Sequence, residues 1–265
     1  MKRRAIVWIA ILGVLALAGC AKKETTEEGG GGAAPAEQQA GGGTPVDQST
    51  VGQVTGKVTF QGDHPKLAVI RMDQDPVCVQ KHSEPVHVED GAVNADGTVP
   101  NVFVYVKEGA DKYSFPTPKD PVTLDQNGCM YKPHVFGIMV GQALHIISSD
   151  PTTHNIHPMP KDNREWNESQ PPGAAPLAKT FARQEIMIPV KCNQHPWMRA
   201  YIGVMKNPLY AVSSEDGSYT IKGLPPGDYT IEAWSATFGT QDQKVTVAAK
   251  GSQTADFSFK AGGAS

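Results

Sequence analysis

The chain has 265 residues, and 24 Lys and Arg against 27 Asp and Glu give it a formal net charge of −3 at pH 7. It has no basic excess of the kind that binds phosphate backbones, so we expect no nucleic-acid partner. Its 27 Gly and 21 Pro residues interrupt short apolar runs, which favours strands joined by turns over long helices.

The first twenty residues have the pattern of an export signal. A basic start, Lys2–Arg4, precedes an apolar run, Ala5–Ala18, that is shorter than a typical membrane-spanning helix. Leu17–Cys20 resembles the cleavage box of bacterial lipoproteins, and the resemblance implies that Cys20 is lipidated. We expect an exported lipoprotein, held to the membrane by its lipid and facing the periplasm or cell exterior. An uncleaved N-terminal anchor is the alternative.

Residues 21–50 are mostly Gly, Ala, Glu, Gln, Thr and Pro. Such a composition buries too little apolar surface to fold alone and predicts a flexible linker. The remainder, about 51–260, is long enough for one large or two small domains.

Alternating and β-branched runs follow at short intervals, separated by turn sequences such as Asp216-Gly217 and Pro225–Asp228. They predict an all-β protein. The predicted strands are Val54–Phe60, Val102–Lys107, Val122–Leu124, Val135–Val140, Ala143–Ser148, Ile186–Cys192, Tyr201–Met205, Ser218–Ile221, Tyr229–Ser235, Gln243–Val247 and Thr254–Phe259.

The most informative segment is Lys191–Met198, which holds a thiolate, an imidazole and a thioether at Cys192, His195 and Met198. A second imidazole comes from His154, earlier in the chain. Two imidazoles and a thiolate in a plane, with a weak axial thioether, form the ligand set of a blue (type 1) copper site. The sequence therefore predicts one copper ion. His157 is an alternative to His154.

Cysteine use is consistent with this site. If Cys192 stays a thiolate and Cys20 carries lipid, Cys78 and Cys129 remain as one pair, and exported proteins favour disulfides. We predict a Cys78–Cys129 disulfide. Free thiols, or a second metal site that adds His82 and His134, are the alternatives.

The copper segment resembles cupredoxins such as plastocyanin, azurin and amicyanin, in which Cys, His and Met share the loop between the last two strands. The spacing from Cys192 to Met198 resembles that of amicyanin. The resemblance implies a Greek-key sandwich over 109–207, with the first His in a loop. It also implies that Asn155 ties the His loop to the Cys loop. Pro196 should stiffen the loop and keep one edge of His195 near solvent.

A second resemblance covers both flanks of that block. Gly56–Gly62, Pro100–Val106, Ala211–Tyr219 and Leu224–Thr230 resemble carboxypeptidase regulatory-like domains, which are small transthyretin-like β-sandwiches. We therefore predict a cupredoxin inserted into a discontinuous sandwich of 51–108 and 208–260.

These features imply a lipid-anchored carrier of single electrons and not an enzyme. Its expected partners are redox proteins such as c-type cytochromes or membrane oxidoreductases. A periplasmic copper-handling protein and a β-sandwich binding module are the alternatives.

Overall fold

A computed structural model describes residues 43–261. The predicted signal peptide, Cys20 and residues 21–42 of the predicted linker lie outside this range. The all-β prediction is confirmed, since one short helix, α1 (Pro76–Gln80), stands among the strands of the described part. No helix there is long and apolar enough to cross a membrane. The strands are β1 Thr44–Pro45, β2 Gly52–Gln61, β3 Phe103–Glu108, β4 Tyr113–Ser114, β5 Val122–Gln126, β6 Tyr131–Lys132, β7 Val135–Met139, β8 Leu144–Ser148, β9 His154–Pro158, β10 Glu168–Gln170, β11 Leu177–Lys179, β12 Glu185–Lys191, β13 Arg199–Met205, β14 Tyr210–Val212, β15 Ser218–Leu224, β16 Gly227–Ser235, β17 Gly239–Val247, β18 Ser252–Thr254 and β19 Phe257–Lys260.

Two sheets form a central sandwich. One has the strand order β10-β9-β12-β13-β7 and the other β11-β8-β5-β6. Residues from both sheets, such as Leu124 and Ile146 on one side and Ile188 and Ile202 on the other, are fully or almost fully buried in a single cluster. Burial of apolar side chains from both inner faces holds the sheets together.

The second sandwich uses strands that lie before and after the central one in the chain. Its sheets have the orders β14-β3-β16-β17 and β15-β2-β18, with β19 also paired to β2. Val54, Val104, Ile231 and Phe257 from these strands share one buried cluster. We call it the regulatory-like sandwich.

A third apolar cluster joins the two sandwiches. Phe103 of β3 packs with Met205 of β13, and the Tyr210 and Trp234 rings lie against the same cluster. Glycines permit this close approach, because a Cβ on Gly203 would lie 2.5 Å from the Phe103 ring. The two sheets therefore meet through ring-to-backbone contact.

Residues 62–100 do not all follow the predicted division of the chain. Met72 and Cys78 are buried in the core of the central sandwich, and Ile70 and Val86 pack against it. The predicted boundary placed this segment in the regulatory-like sandwich. Its apolar side chains and the disulfide from Cys78 hold it on the central one instead. We call residues 70–86 the cover segment.

The last residues of the predicted linker are part of the fold. Thr44–Pro45 forms β1 and pairs in parallel with Tyr113–Ser114. Asp47 then caps a turn by accepting hydrogen bonds from Ser49. The backbone pairing orders a segment whose composition alone predicts flexibility.

Candidate metal centre

The β12–β13 hairpin fixes the loop that carries three predicted ligands. Lys191 at the end of β12 pairs with Arg199 at the start of β13, so the ends of the loop are held side by side. Inside the loop the Cys192 amide donates to the Met198 carbonyl at 3.3 Å. The Met198 amide donates to the His195 carbonyl at 2.9 Å. The loop is thus closed by its own backbone.

Three of the predicted ligands converge. His154, Cys192 and His195 are buried, and their donor atoms all lie within 4.8 Å of one another. The two histidine Nδ1 atoms are 2.9 Å apart, and Cys192 Sγ is 3.7 Å from His195 Nδ1. An ion with bonds of about 2.0–2.1 Å to nitrogen and about 2.3 Å to sulfur can bridge donors at these separations.

A carboxylate holds the outer nitrogen of each imidazole. His154 Nε2 lies 3.0 Å from Asp150 Oδ2, and His195 Nε2 lies 3.1 Å from Asp75 Oδ2. When each Nε2–H donates to its aspartate, both Nδ1 atoms carry lone pairs that face each other across the site. That arrangement is repulsive without a cation, and it fits a metal ion that accepts both lone pairs.

Both aspartates are kept ionised, although the Asp150 side chain is fully buried and that of Asp75 is mostly buried. Burial raises the pKa of Asp150, but backbone donors from Cys129 and Gly128, with His154 and Lys81, bring its pKa below the ordinary value. Burial likewise opposes ionisation of Asp75, and hydrogen bonds that include those of Thr152 and His195 lower the pKa of its carboxyl. The carboxylates can therefore accept the imidazole protons at neutral pH.

His154 is held as a neutral ring. Burial has the largest effect and lowers its pKa, and a positive charge on His195 would lower it further. The Asp150 carboxylate acts in the opposite direction. A neutral imidazole is the form that ligates a metal.

The sulfur receives two backbone donors. The amides of Asn155 and His195 point to Cys192 Sγ at 3.5 and 3.4 Å. The Asn155 side-chain oxygen accepts the Asn193 amide at 2.5 Å, and its nitrogen donates to Asn167. Asn155 thus links the start of β9 to the Cys192 loop, the arrangement that the cupredoxin resemblance implies.

The expectation that His195 has an edge near solvent is wrong. His195 is only 4 % exposed. Asp75, just ahead of α1, bonds to its outer nitrogen. The Trp197 ring lies 5.0 Å from the imidazole and donates to the Cys129 carbonyl. Pro196 itself is exposed. The cover segment therefore closes the edge that the loop sequence alone would leave open.

His154 opens strand β9 and does not lie in a loop as predicted. This explains why His157 is elsewhere, because residues three apart on a strand point to opposite faces. His157 contacts Glu165 at 2.5 Å and Asn193 at 3.3 Å. It belongs to none of the potential metal-binding groups among residues 43–261. Met198 is fully buried in the core of the central sandwich.

Cys78 and Cys129 form a disulfide bond. The alternative second metal site is thereby excluded, because neither sulfur is a free thiolate. His82 instead contacts the Gly128 carbonyl, and His134 contacts Asp90. Cys192 is the free cysteine of the described residues.

Sequence reasoning missed the two aspartates. Asp150 lies four residues before His154, so its proximity was open to inference from local spacing. Asp75 is 120 residues from His195 in the chain, and no motif connects them. The disulfide and the packing of the cover segment bring it to the site.

Comparisons with known proteins bear on both halves of the chain. Residues 200–260 match the family model of the carboxypeptidase regulatory-like domain. The resemblance of the C-terminal motifs is thereby confirmed. No curated protein matches the chain.

Several solved structures are similar to part of this chain. A purple cupredoxin from Nitrosopumilus maritimus is 17% identical, with 32% of this chain and 99% of that one covered and a TM-score of 0.27. A mutant form of amicyanin is 21% identical over 32% of this chain and 82% of that one, with a TM-score of 0.28. The copper-containing nitrite reductase from Thermus scotoductus SA-01 is 20% identical over 38% of this chain, with a TM-score of 0.31. The match spans 25% of that enzyme.

Proposed function

We propose that this protein is an exported type 1 copper protein that carries single electrons between redox partners. The observation that carries the proposal is the convergence of His154, Cys192 and His195 at one buried point. The opposed Nδ1 atoms, each backed by a carboxylate on Nε2, support a bound cation. Met198 is the proposed axial ligand.

Bound copper would supply a one-electron couple. The protein's part is to hold the ligands still while the charge changes. His154 is fixed on a strand, Cys192 and His195 lie in a loop closed by its own backbone, and Asp150 and Asp75 orient the rings. Ligands that are held by outer contacts move little between oxidation states, which favours fast electron exchange.

The thiolate set favours copper over harder cations. Sulfur is a soft donor, and two imidazoles with a thiolate and thioether suit copper in both oxidation states. Four protein ligands would leave no position for a substrate, so we propose a carrier and not a catalyst. The export and lipid anchoring predicted from Cys20 would place it at a membrane, facing the periplasm or cell exterior, within reach of c-type cytochromes or membrane oxidoreductases.

Voltammetry of residues 43–261, loaded with one copper ion, tests the proposal. We expect a reversible one-electron wave that persists over repeated cycles and disappears in Cys192→Ser. In parallel, the loaded protein is incubated with a competing copper chelator. An electron carrier should retain its copper through the redox cycles, whereas ready transfer of copper without a reversible wave would support the copper-handling alternative.

A further inference from the structure

An open groove of about 580 Å³ lies beside the copper loop. Its floor is the outward face of the β12–β13 hairpin, where Lys191 pairs with Arg199 and Pro189 pairs with Tyr201. The regulatory-like sandwich covers the neighbouring part of this face, where Tyr201 packs against Trp234. The part nearest the copper loop is uncovered, and Pro189 and Arg199 are exposed there.

Two positive charges stand together on this floor. Lys191 and Arg199 are directly opposite across the antiparallel pair, a placement that disfavours the folded state when the charges are alike. Neither forms a salt bridge with any residue of the described range. The nearby carboxylate of Asp90 is already bonded to His134 and Tyr201. The pair therefore presents unneutralised charge to whatever enters the groove.

The groove also borders one predicted metal ligand, and no residue of the cover segment lines it. Cys192 and the adjacent Asn193 line it. The outer nitrogen of His195, by contrast, is bonded to Asp75 beneath the cover segment. Among the predicted ligands, Cys192 is the residue that lines the open groove, and its side chain is buried behind the groove wall.

We propose that this groove is the docking surface of an acidic redox partner protein, whose carboxylates contact Lys191 and Arg199. Electrons then pass through the Cys192 side of the site and not through the His195 edge. In each transfer one electron moves between the partner's cofactor and the copper, so that one is oxidised as the other is reduced, and no bond is made or broken. The inference rests on the proposed electron-carrier function.

Electron exchange with two probe proteins tests the docking surface. The copper-loaded protein is mixed in a stopped-flow instrument with an acidic c-type cytochrome and, separately, with a basic one. In Lys191→Glu/Arg199→Glu we expect the rate constant with the acidic cytochrome to fall by about tenfold at low salt, because steering by complementary charge accelerates association by 10-fold or more. The rate with the basic cytochrome should rise, and both differences should shrink at high salt.

Lys222→Glu/Lys244→Glu is the matched control, since it makes the same charge change at exposed positions of the regulatory-like sandwich. It should change either rate by less than twofold. If the groove variant does not retain copper, Lys191→Gln/Arg199→Gln replaces it, with an expected fall of about threefold.

The outcomes separate the two proposals. A groove variant that keeps the wild-type spectrum and reversible wave but reacts like the control overturns the docking surface and leaves the carrier function standing. A wild-type protein without a reversible copper wave overturns the carrier function and this inference together.

Discussion

At the scale of single residues, the most informative feature of the metal centre is the aspartate bonded to each histidine. Each predicted histidine ligand is backed by a carboxylate, and that of His195 comes from outside the copper loop. A negative charge behind an imidazole strengthens its donation and favours the more highly charged metal. The carboxylates should therefore set the reduction potential as well as the ring orientation.

Asp75→Asn tests this effect. Asp75 accepts from the Val77 amide through Oδ1 and contacts His195 through Oδ2. Asn is also a good helix cap, but its one amide oxygen can take only one of these two places. Loss of one negative charge roughly 7 Å from the metal should raise the reduction potential by up to about 100 mV, measured by voltammetry. Asp73→Asn, an exposed change two residues away, is the control. Equal potentials in the two variants would contradict the assigned role of Asp75.

How far the sequence predicts the site depends on distance along the chain. Cys192, His195 and Met198 are close in sequence, and the thiolate–imidazole pattern is specific enough to identify them. His154 could be proposed because the family resemblance supplies its place. Asp75 could not, since its position depends on a disulfide partner and on packing that no local pattern records.

At the scale of elements, the cover segment determines how the metal centre meets solvent. It contains α1, and it is held in place by the buried side chains of Met72 and Cys78 and by the disulfide to Cys129. Regular strands such as β2 and β16 were predictable because their alternation and flanking turns are local. The cover segment has little regular structure, so its position against the central sandwich could not be predicted from a local sequence pattern.

Removal of the disulfide should loosen this segment. The bond closes a sequence separation of 51 residues, for which chain entropy predicts a stabilisation of about 4 kcal/mol. We expect Cys78→Ser/Cys129→Ser to lower the unfolding free energy by about 2–5 kcal/mol in denaturant titrations. Wild-type protein treated with a reductant should follow the same curve. Unchanged stability in both cases would show that the segment is held by packing alone.

We expect His134 to make the stability of the central sandwich depend on pH. Burial alone would lower its pKa, but the hydrogen bond to Asp90 and the charges of Glu89 and Asp90 raise it above the ordinary value of 6.5. A histidine with a raised pKa stabilises fully below about pH 6.5, and this contribution is lost as the pH rises through its folded-state pKa.

The unfolding free energy should therefore decline between about pH 6.5 and the folded-state pKa of His134, and His134→Gln should reduce this decline. Denaturant titrations across this range measure it. His145→Gln, at an exposed position of β8, should leave the slope unchanged. A slope that survives in His134→Gln would assign the dependence to other groups.

At the scale of the whole molecule, the two sandwiches are joined by a shared aromatic cluster. Gly137 on β7 receives the Tyr210 ring so closely that a Cβ there would lie 2.1 Å from it. This contact could not be predicted from the sequence, because the partners lie on different predicted domains and glycine occurs in strands for several reasons.

Gly137→Ala should force the Tyr210 ring out of its place and destabilise the protein by about 1–3 kcal/mol, as overpacking does. Thermal or denaturant unfolding measures the change. Adding Tyr210→Leu should recover part of the loss, because the clash is removed, and the two substitutions should be non-additive. Strict additivity would mean that the ring and the glycine do not meet.

The optical spectrum of the copper-loaded protein is the most direct test of the central claim. The wild-type protein with one copper(II) should show an intense thiolate-to-copper absorption band in the visible range, bleached by reduction and absent from Cys192→Ser. A colourless copper-loaded protein, or a band that survives in Cys192→Ser, would contradict the account.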